Sequence, residues 1–261
     1  MQTIHLKPDD LDARNAQFGQ VPLQHSVFLN SVPKSGSHLL RNIVRMFVPP
    51  AQQYHRDFIQ YANLKDHLAA FDGPPPLLSW GHLFFSDISA IATARARKIL
   101  LVRDPYDWVV SKARFMLSNE FTGKLDVLKR APITAEQLFN MVIFGIHGSN
   151  PSLADTYTHN AVAWLGTDVH LVRFEDLRDA VADLDGAAAD RLFGELLEAC
   201  GIARPDDWRE RVRIGADPGQ SGTSRENISG EGLTLPAALS PQQRALVDYA
   251  APGLRAVLGY E

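Results

Sequence analysis

Short unbroken apolar runs and helical periodicity alternate along the chain in a recurring order. Residues 26 to 32, SVFLNSV, are a mostly apolar, β-branched run that reads as a buried strand, and PKSG interrupts it with turn residues. From Ser37 to about Val48 the residues Leu39, Leu40, Ile43, Val44 and Phe47 recur at helical spacing, until Pro49-Pro50 ends the pattern. KILLVRDP repeats the logic: a strand over 98 to 102, the charged pair Arg103-Asp104 at its exit, then Pro105 and a helix through about Leu117.

Between these two units, FDGPPPLLS reads as a turn, LLSWGHL as a short strand whose end presents His82, and residues 87 to 97 as a helix. Residues 118 to 150 are less regular, with SNEFTGKL and GIHGSNP flanking an amphipathic stretch from Ala135 to Ile146; such an insertion suits a cover over a substrate. Residues 154 to 165 predict a helix and DVHLVRFEDL a strand with a charged exit. Residues 187 to 199 predict a helix with Leu192, Phe193, Leu196 and Leu197 on one face. The stretch from Ile214 to Gly232, rich in Gly, Ser and Asp, reads as a surface loop, and a last helix begins near Pro241 and runs towards Tyr260. Strands alternating with helices predict an α/β fold: a central parallel sheet flanked by helices, in a single domain over residues 1–261 with an N-terminal arm over 1–22.

Composition narrows the function. The 261 residues are 45% hydrophobic and 9% aromatic, enough for one sizeable core. A net charge of -4 supplies no global basic field for nucleic acid or an anionic membrane, so an anion site has to be built locally. Cys200 is the only cysteine, which excludes an intramolecular disulfide framework and a cysteine zinc cluster; a buried thiol is expected. The N-terminus lacks a basic segment followed by an apolar one, and no apolar run approaches the roughly 20 residues of a spanning helix, so the expected compartment is the cytoplasm.

The first strand, loop and helix carry the chemistry. VPKSGSHLL offers Gly36 for close backbone approach, N–H groups at a helix start, Lys34 as a point charge and the hydroxyls of Ser35 and Ser37, which are the parts of an anion cradle. Lys34 precedes the glycine, which disfavours the GxxxxGK[ST] loop of ordinary ATPases and kinases. Alone, the tetrapeptide also reads as a turn with a solvated lysine and Ser37 as the helix N-cap.

The segment resembles the phosphosulfate loop of the nucleotide-dependent sulfotransferases, approximately PKSGTTW after a first strand. Five of seven positions agree if Ser is accepted for Thr, while His38 and Leu39 stand in place of the second Thr and the Trp. The resemblance continues in LLVRDPYDWVVS, where Arg103 and Ser111, eight residues apart, match the pair that holds a 3'-phosphate in that family. SRENISGEG resembles the family loop that closes over the same phosphate, with Arg225 and Gly230 aligned, and Phe174 falls at the tyrosine of a YEDL-like segment. Membership of this family implies a cytosolic-type, P-loop-like sulfotransferase. Its donor would be 3'-phosphoadenosine 5'-phosphosulfate and its product 3'-phosphoadenosine 5'-phosphate, with no metal. Lys34, Ser35, Gly36, Ser37, His38, Arg103, Ser111, Arg225 and Gly230 would hold the nucleotide.

Sulfuryl transfer also needs a base for the acceptor, and a histidine titrating near neutrality suits it. Among nine histidines, His82 in SWGHLFF sits between the two phosphate motifs and matches the family's HLP histidine, while Trp80 occupies the place of its lysine. His38, on the phosphate loop, is the rival. Two other readings stay open at this stage: a small-molecule kinase, and a nucleotide-binding protein of this fold without turnover. The acceptor is a small molecule, carbohydrate or lipid, bound in part by aromatics within 50 to 75 and 118 to 150, and a homodimer is left open.

Overall fold

The computed structural model describes residues 3–4, 8–54, 58–118, 121–122, 125–221 and 233–261. In chain order the strands are β1 (Thr3–Ile4), β2 (Val27–Ser31), β3 (Ile59–Gln60), β4 (Leu78–His82), β5 (Arg97–Val102), β6 (Phe121–Thr122) and β7 (Val169–Arg173). The helices are α1 (Leu11–Asn15), α2 (Ser37–Arg45), α3 (Asp87–Ala92), α4 (Pro105–Leu117), α5 (Ala135–Phe144), α6 (Leu153–Asn160), α7 (Phe174–Ala182), α8 (Ala187–Cys200), α9 (Trp208–Gly215), α10 (Pro241–Ala250) and α11 (Leu254–Val257). The chain divides into two compact units, one of residues 8–102 and 159–221, the other of residues 1–7, 103–158 and 222–261.

The first unit holds the expected parallel sheet, five strands in the order β3-β4-β2-β5-β7. Its middle strand, VFLNS, is buried at every position, which is why it reads as a continuous apolar run rather than an alternating one. Val27, Leu29, Ile99 and Leu101 pack with Leu40, Ile43 and Val44 of α2 and with Phe193, Leu196 and Leu197 of α8. Each such side chain contributes roughly 1.5–3 kcal/mol on burial. Ser31 pairs with Leu101 and Asn30 with Gly81, so β2, β4 and β5 end side by side at one edge of the sheet. At Gly81 an added Cβ would lie 1.9 Å from the Ile59 carbonyl oxygen, so only glycine lets β3 pair so closely with β4.

Arg45 ties residues 8 to 15 to this unit. Its guanidinium, 5% exposed, donates to both Asp9 carboxylate oxygens at 2.8 and 3.1 Å, to Asp12 Oδ1 at 2.8 Å and to Gln53 Oε1 at 2.9 Å. Burial raises the Asp9 pKa, but the hydrogen bonds and charge of Arg45 outweigh it and hold the group below its ordinary value. Arg41, one turn earlier, is pushed down to about 10 by burial and by the like charge of Arg45.

In the second unit α4 packs on α5 and α10, with Leu138, Phe139, Val142 and Ile143 fully buried, and β1 pairs antiparallel with β6. Trp108 and Tyr157 are fully buried and meet edge to face at 5.4 Å.

Several expected boundaries move. The helix of 87 to 97 stops at Ala92, because β5 already starts at Arg97. The strand expected through residue 177 stops at Arg173, and Phe174 opens α7. The last helix breaks at Pro252-Gly253, where Gly253 has φ +72°, and resumes as α11. Within the expected loop of 214 to 232, Ile214 and Gly215 complete α9 and residues 218–220 form a single 3-10 turn; residues 222–232, with Arg225 and Gly230, lie outside the described residues. Cys200 is buried as expected, and burial pushes its thiol up to about 12. No described helix is long and apolar enough to cross a membrane.

Candidate functional site

The turn from β2 into α2 needs two residues in left-handed conformation. Lys34 has φ +70° and is the sole non-glycine with positive φ among the described residues; Gly36 has φ +91° and is the N-cap of α2. Ser37, the cap in the alternative reading of PKSG as a plain turn, is the first helical residue, because the left-handed Gly36 already redirects the chain. A non-glycine residue in this region costs about 1–2 kcal/mol, and such strain gathers where backbone is shaped for a ligand. The loop presents its backbone, with the first-turn N–H groups of α2, as a nest suited to an anion. Ser35 Oγ is fully buried and has no hydrogen-bond partner among the described residues, a polar atom that a bound oxyanion would satisfy. Phe174 covers the loop: a Cβ on Gly36 would stand 2.4 and 2.6 Å from its ring carbons.

His82 closes β4, the strand beside β2. Its Nδ1 lies 2.8 Å from the Ser31 carbonyl oxygen and 3.0 Å from Ser31 Oγ, and that hydroxyl lies 3.4 Å from the Gly81 carbonyl oxygen. A carbonyl only accepts, so Nδ1 carries the proton in the neutral ring and the basic lone pair sits on Nε2. Phe58 packs edge-on to His82 at 4.6 Å and to Trp80 at 4.9 Å. Trp80 also receives the edge of His38 at 5.0 Å and the Arg41 guanidinium at 4.5 Å. Where the resemblance would place a lysine, this chain has an aromatic post that orients His38 and Phe58.

Arg103 follows the last residue of β5 and belongs to the second unit. Tyr157 Oη donates to its carbonyl oxygen at 2.7 Å. Asp104 caps α4 by accepting from the Tyr106 N–H at 2.9 Å, and Pro105 takes the first helical position, where no N–H is needed. Ser111 is buried on the second turn of α4, and its neighbour Lys112 is pushed down to about 8 by burial.

Lys34, Ser35, Gly36, Ser37 and His38 therefore share one loop and helix start, with His82 at the adjacent strand end; Arg103 and Ser111 share the opening of α4. Arg225 and Gly230 lie outside the described residues. The sequence reading missed Ser31, hidden inside an apolar strand, and the packing of Phe174 on Gly36. Neither leaves a local signal. Among the described residues no group of three His, Cys, Asp or Glu side chains is placed to hold a metal ion.

No family model matches the chain, and no curated protein is similar to it in sequence. Among solved structures it is similar to the mouse sulfotransferase SULT7A1 complexed with PAP, at 14% identity and a TM-score of 0.59, covering 95% of this chain and 90% of that one. It also matches a retinol dehydratase in complex with retinol and PAP, at 14% identity and a TM-score of 0.49, covering 90% of this chain and 81% of that one.

Proposed function

We propose that this chain, which has the fold of a sulfotransferase, moves a sulfuryl group from 3'-phosphoadenosine 5'-phosphosulfate to a hydroxyl or amine of a small-molecule, carbohydrate or lipid acceptor. The observation that carries the reading is the loop at the exit of β2, with Lys34 and Gly36 both at positive φ, Ser35 Oγ buried without a partner, and His82 at the neighbouring strand end. The PAP named with SULT7A1 supports the choice of nucleotide.

The donor supplies an activated sulfur: the new bond joins acceptor oxygen or nitrogen to sulfur, and the bond that breaks joins sulfur to the bridging phosphate oxygen. This chain's residues bind, orient and move a proton. His82 Nε2 takes the acceptor proton as the nucleophile attacks, and Ser31 holds Nδ1–H so that the ring keeps the productive tautomer. Lys34 offsets negative charge on the leaving oxygen, and Ser35, Gly36, Ser37 and His38 bind the 5' end. Arg103 and Ser111 bind the 3'-phosphate, the guanidinium as a fork and the hydroxyl as a donor. The parallel neighbours β2 and β5 support this division, because the two motifs leave strands that end at one sheet edge.

Substitution of the base tests the proposal. His82→Ala is expected to lower transfer of labelled sulfate by about 10²–10⁴-fold, the usual contribution of a general base. The melting-temperature rise caused by 3'-phosphoadenosine 5'-phosphate should persist in the variant. Turnover equal to wild type would remove His82 from the mechanism, and a larger shift with ATP and Mg²⁺ than with this nucleotide would replace the donor.

A further inference from the structure

We infer that Arg255, in the short last helix, is a positioning residue for the 3'-phosphate of the donor: it locks and neutralises Asp104, so that the corner carrying Arg103 keeps its shape and a net positive charge. The inference rests on the role proposed above for Arg103.

Asp104 is a poor neighbour for a phosphate ligand. Its carboxylate follows Arg103 directly, and an uncompensated negative charge there opposes an incoming anion. The structure answers this charge with Arg255, whose Nε and terminal nitrogen meet Asp104 Oδ1 and Oδ2 at 3.2 and 2.9 Å. The side chains are 25% and 16% exposed, so the pair is partly shielded from solvent. A two-point guanidinium–carboxylate fork fixes orientation as well as charge.

The corner is held at several further points. Asp104 Oδ1 also accepts from the Tyr106 N–H, and the Arg103 carbonyl oxygen accepts from Tyr157 Oη at 2.7 Å. The Tyr106 ring lies under the Arg255 guanidinium at 4.3 Å, while its hydroxyl reaches both Asp248 oxygens at 2.8 Å. The backbone that follows the Arg103 Cα is thus held by Tyr157 of α6 at its carbonyl and, through the Asp104 carboxylate, by the first turn of α4 and by Arg255 of α11. Arg255, 151 positions further along the chain, thereby acts on the proposed subsite through Asp104.

Affinities of two nucleotides for each variant test this. The probes are 3'-phosphoadenosine 5'-phosphate and adenosine 5'-monophosphate, which lacks the 3'-phosphate, measured by calorimetry with melting temperature recorded alongside. Arg255→Gln is expected to weaken the first by roughly tenfold or more, as loss of a charge-assisted pair does, and to leave the second within about twofold. Arg255→Lys, which keeps the charge without the fork, should fall between wild type and Arg255→Gln. Adding Asp104→Asn to Arg255→Gln removes the exposed negative charge while Asn still caps α4, and should restore part of the lost preference. An Arg255→Gln protein that folds and keeps the wild-type preference for the 3'-phosphate overturns the inference. So does a loss shared equally by both nucleotides, which marks a purely structural pair. Should Arg255→Gln fail to fold, Arg255→Lys alone decides by the same ratio. If wild type itself shows no preference for the 3'-phosphate, the role of Arg103 fails and this inference falls with it.

Discussion

Gly36→Ala probes the phosphate loop through two separable effects. At φ +91° a β-carbon costs about 1–2 kcal/mol of backbone strain. That carbon would also stand 2.4 Å from a ring atom of Phe174, far inside contact distance, and forcing the ring aside is an overpacking cost of about 1–3 kcal/mol. Together the variant should lose about 2–5 kcal/mol, read as a lower urea midpoint at unchanged slope. Phe174→Ala in the same background removes the clash but not the strain. The double-mutant cycle should therefore show a coupling of about 1–3 kcal/mol between the two positions. Phe174 is only half-buried, so its own truncation should cost less than the 3–5 kcal/mol of a fully buried aromatic. A Gly36→Ala protein within about 0.5 kcal/mol of wild type, or a cycle with no coupling, would refute this account of the loop.

Two further outcomes follow from the geometry. Lys34→Gly relieves the positive φ of the lysine, offset in part by the greater freedom of glycine in the unfolded chain, so the folded state should hold or gain up to about 1 kcal/mol while sulfate transfer is lost; a marked fall in melting temperature would contradict the strain argument. Asp9 has a folded pKa below its unfolded value near 4, so its stabilising pairing with Arg45 is present above that pH and fades as pH falls through the folded value. Asp9→Asn should therefore lose about 1 kcal/mol at pH 7, solvent screening keeping the loss small, and the gap to wild type should shrink steadily as pH falls below the unfolded value, as followed by urea denaturation; a gap that does not change with pH would show that Asp9 does not titrate with folding.

Much of the architecture is written locally. The apolar runs at 26 to 32 and 98 to 102 locate β2 and β5 because strands covered on both faces need unbroken apolar sequence. The turn residues of PKSG and the prolines at 49, 50 and 105 punctuate the chain where elements end or begin. Elements with weak or polar patterns escaped: β3 has two residues, and α9, WRERVRIG, carries charges at half of its positions.

Local pattern therefore names the loop, the strand ends and the candidate side chains, because turn chemistry and periodicity act over a few residues. Which of them meet is a matter of long-range contact, on which periodicity is silent. Ser31 and His82 stand 51 positions apart, and only the pairing of β2 with β4 brings a carbonyl to Nδ1 and leaves the lone pair on Nε2. Arg255 and Asp104 stand 151 positions apart, and the ring of Phe174 reaches Gly36 only after β7 has joined the sheet. The positive φ of Lys34 is imposed by the turn from β2 to α2, since lysine by itself disfavours that conformation.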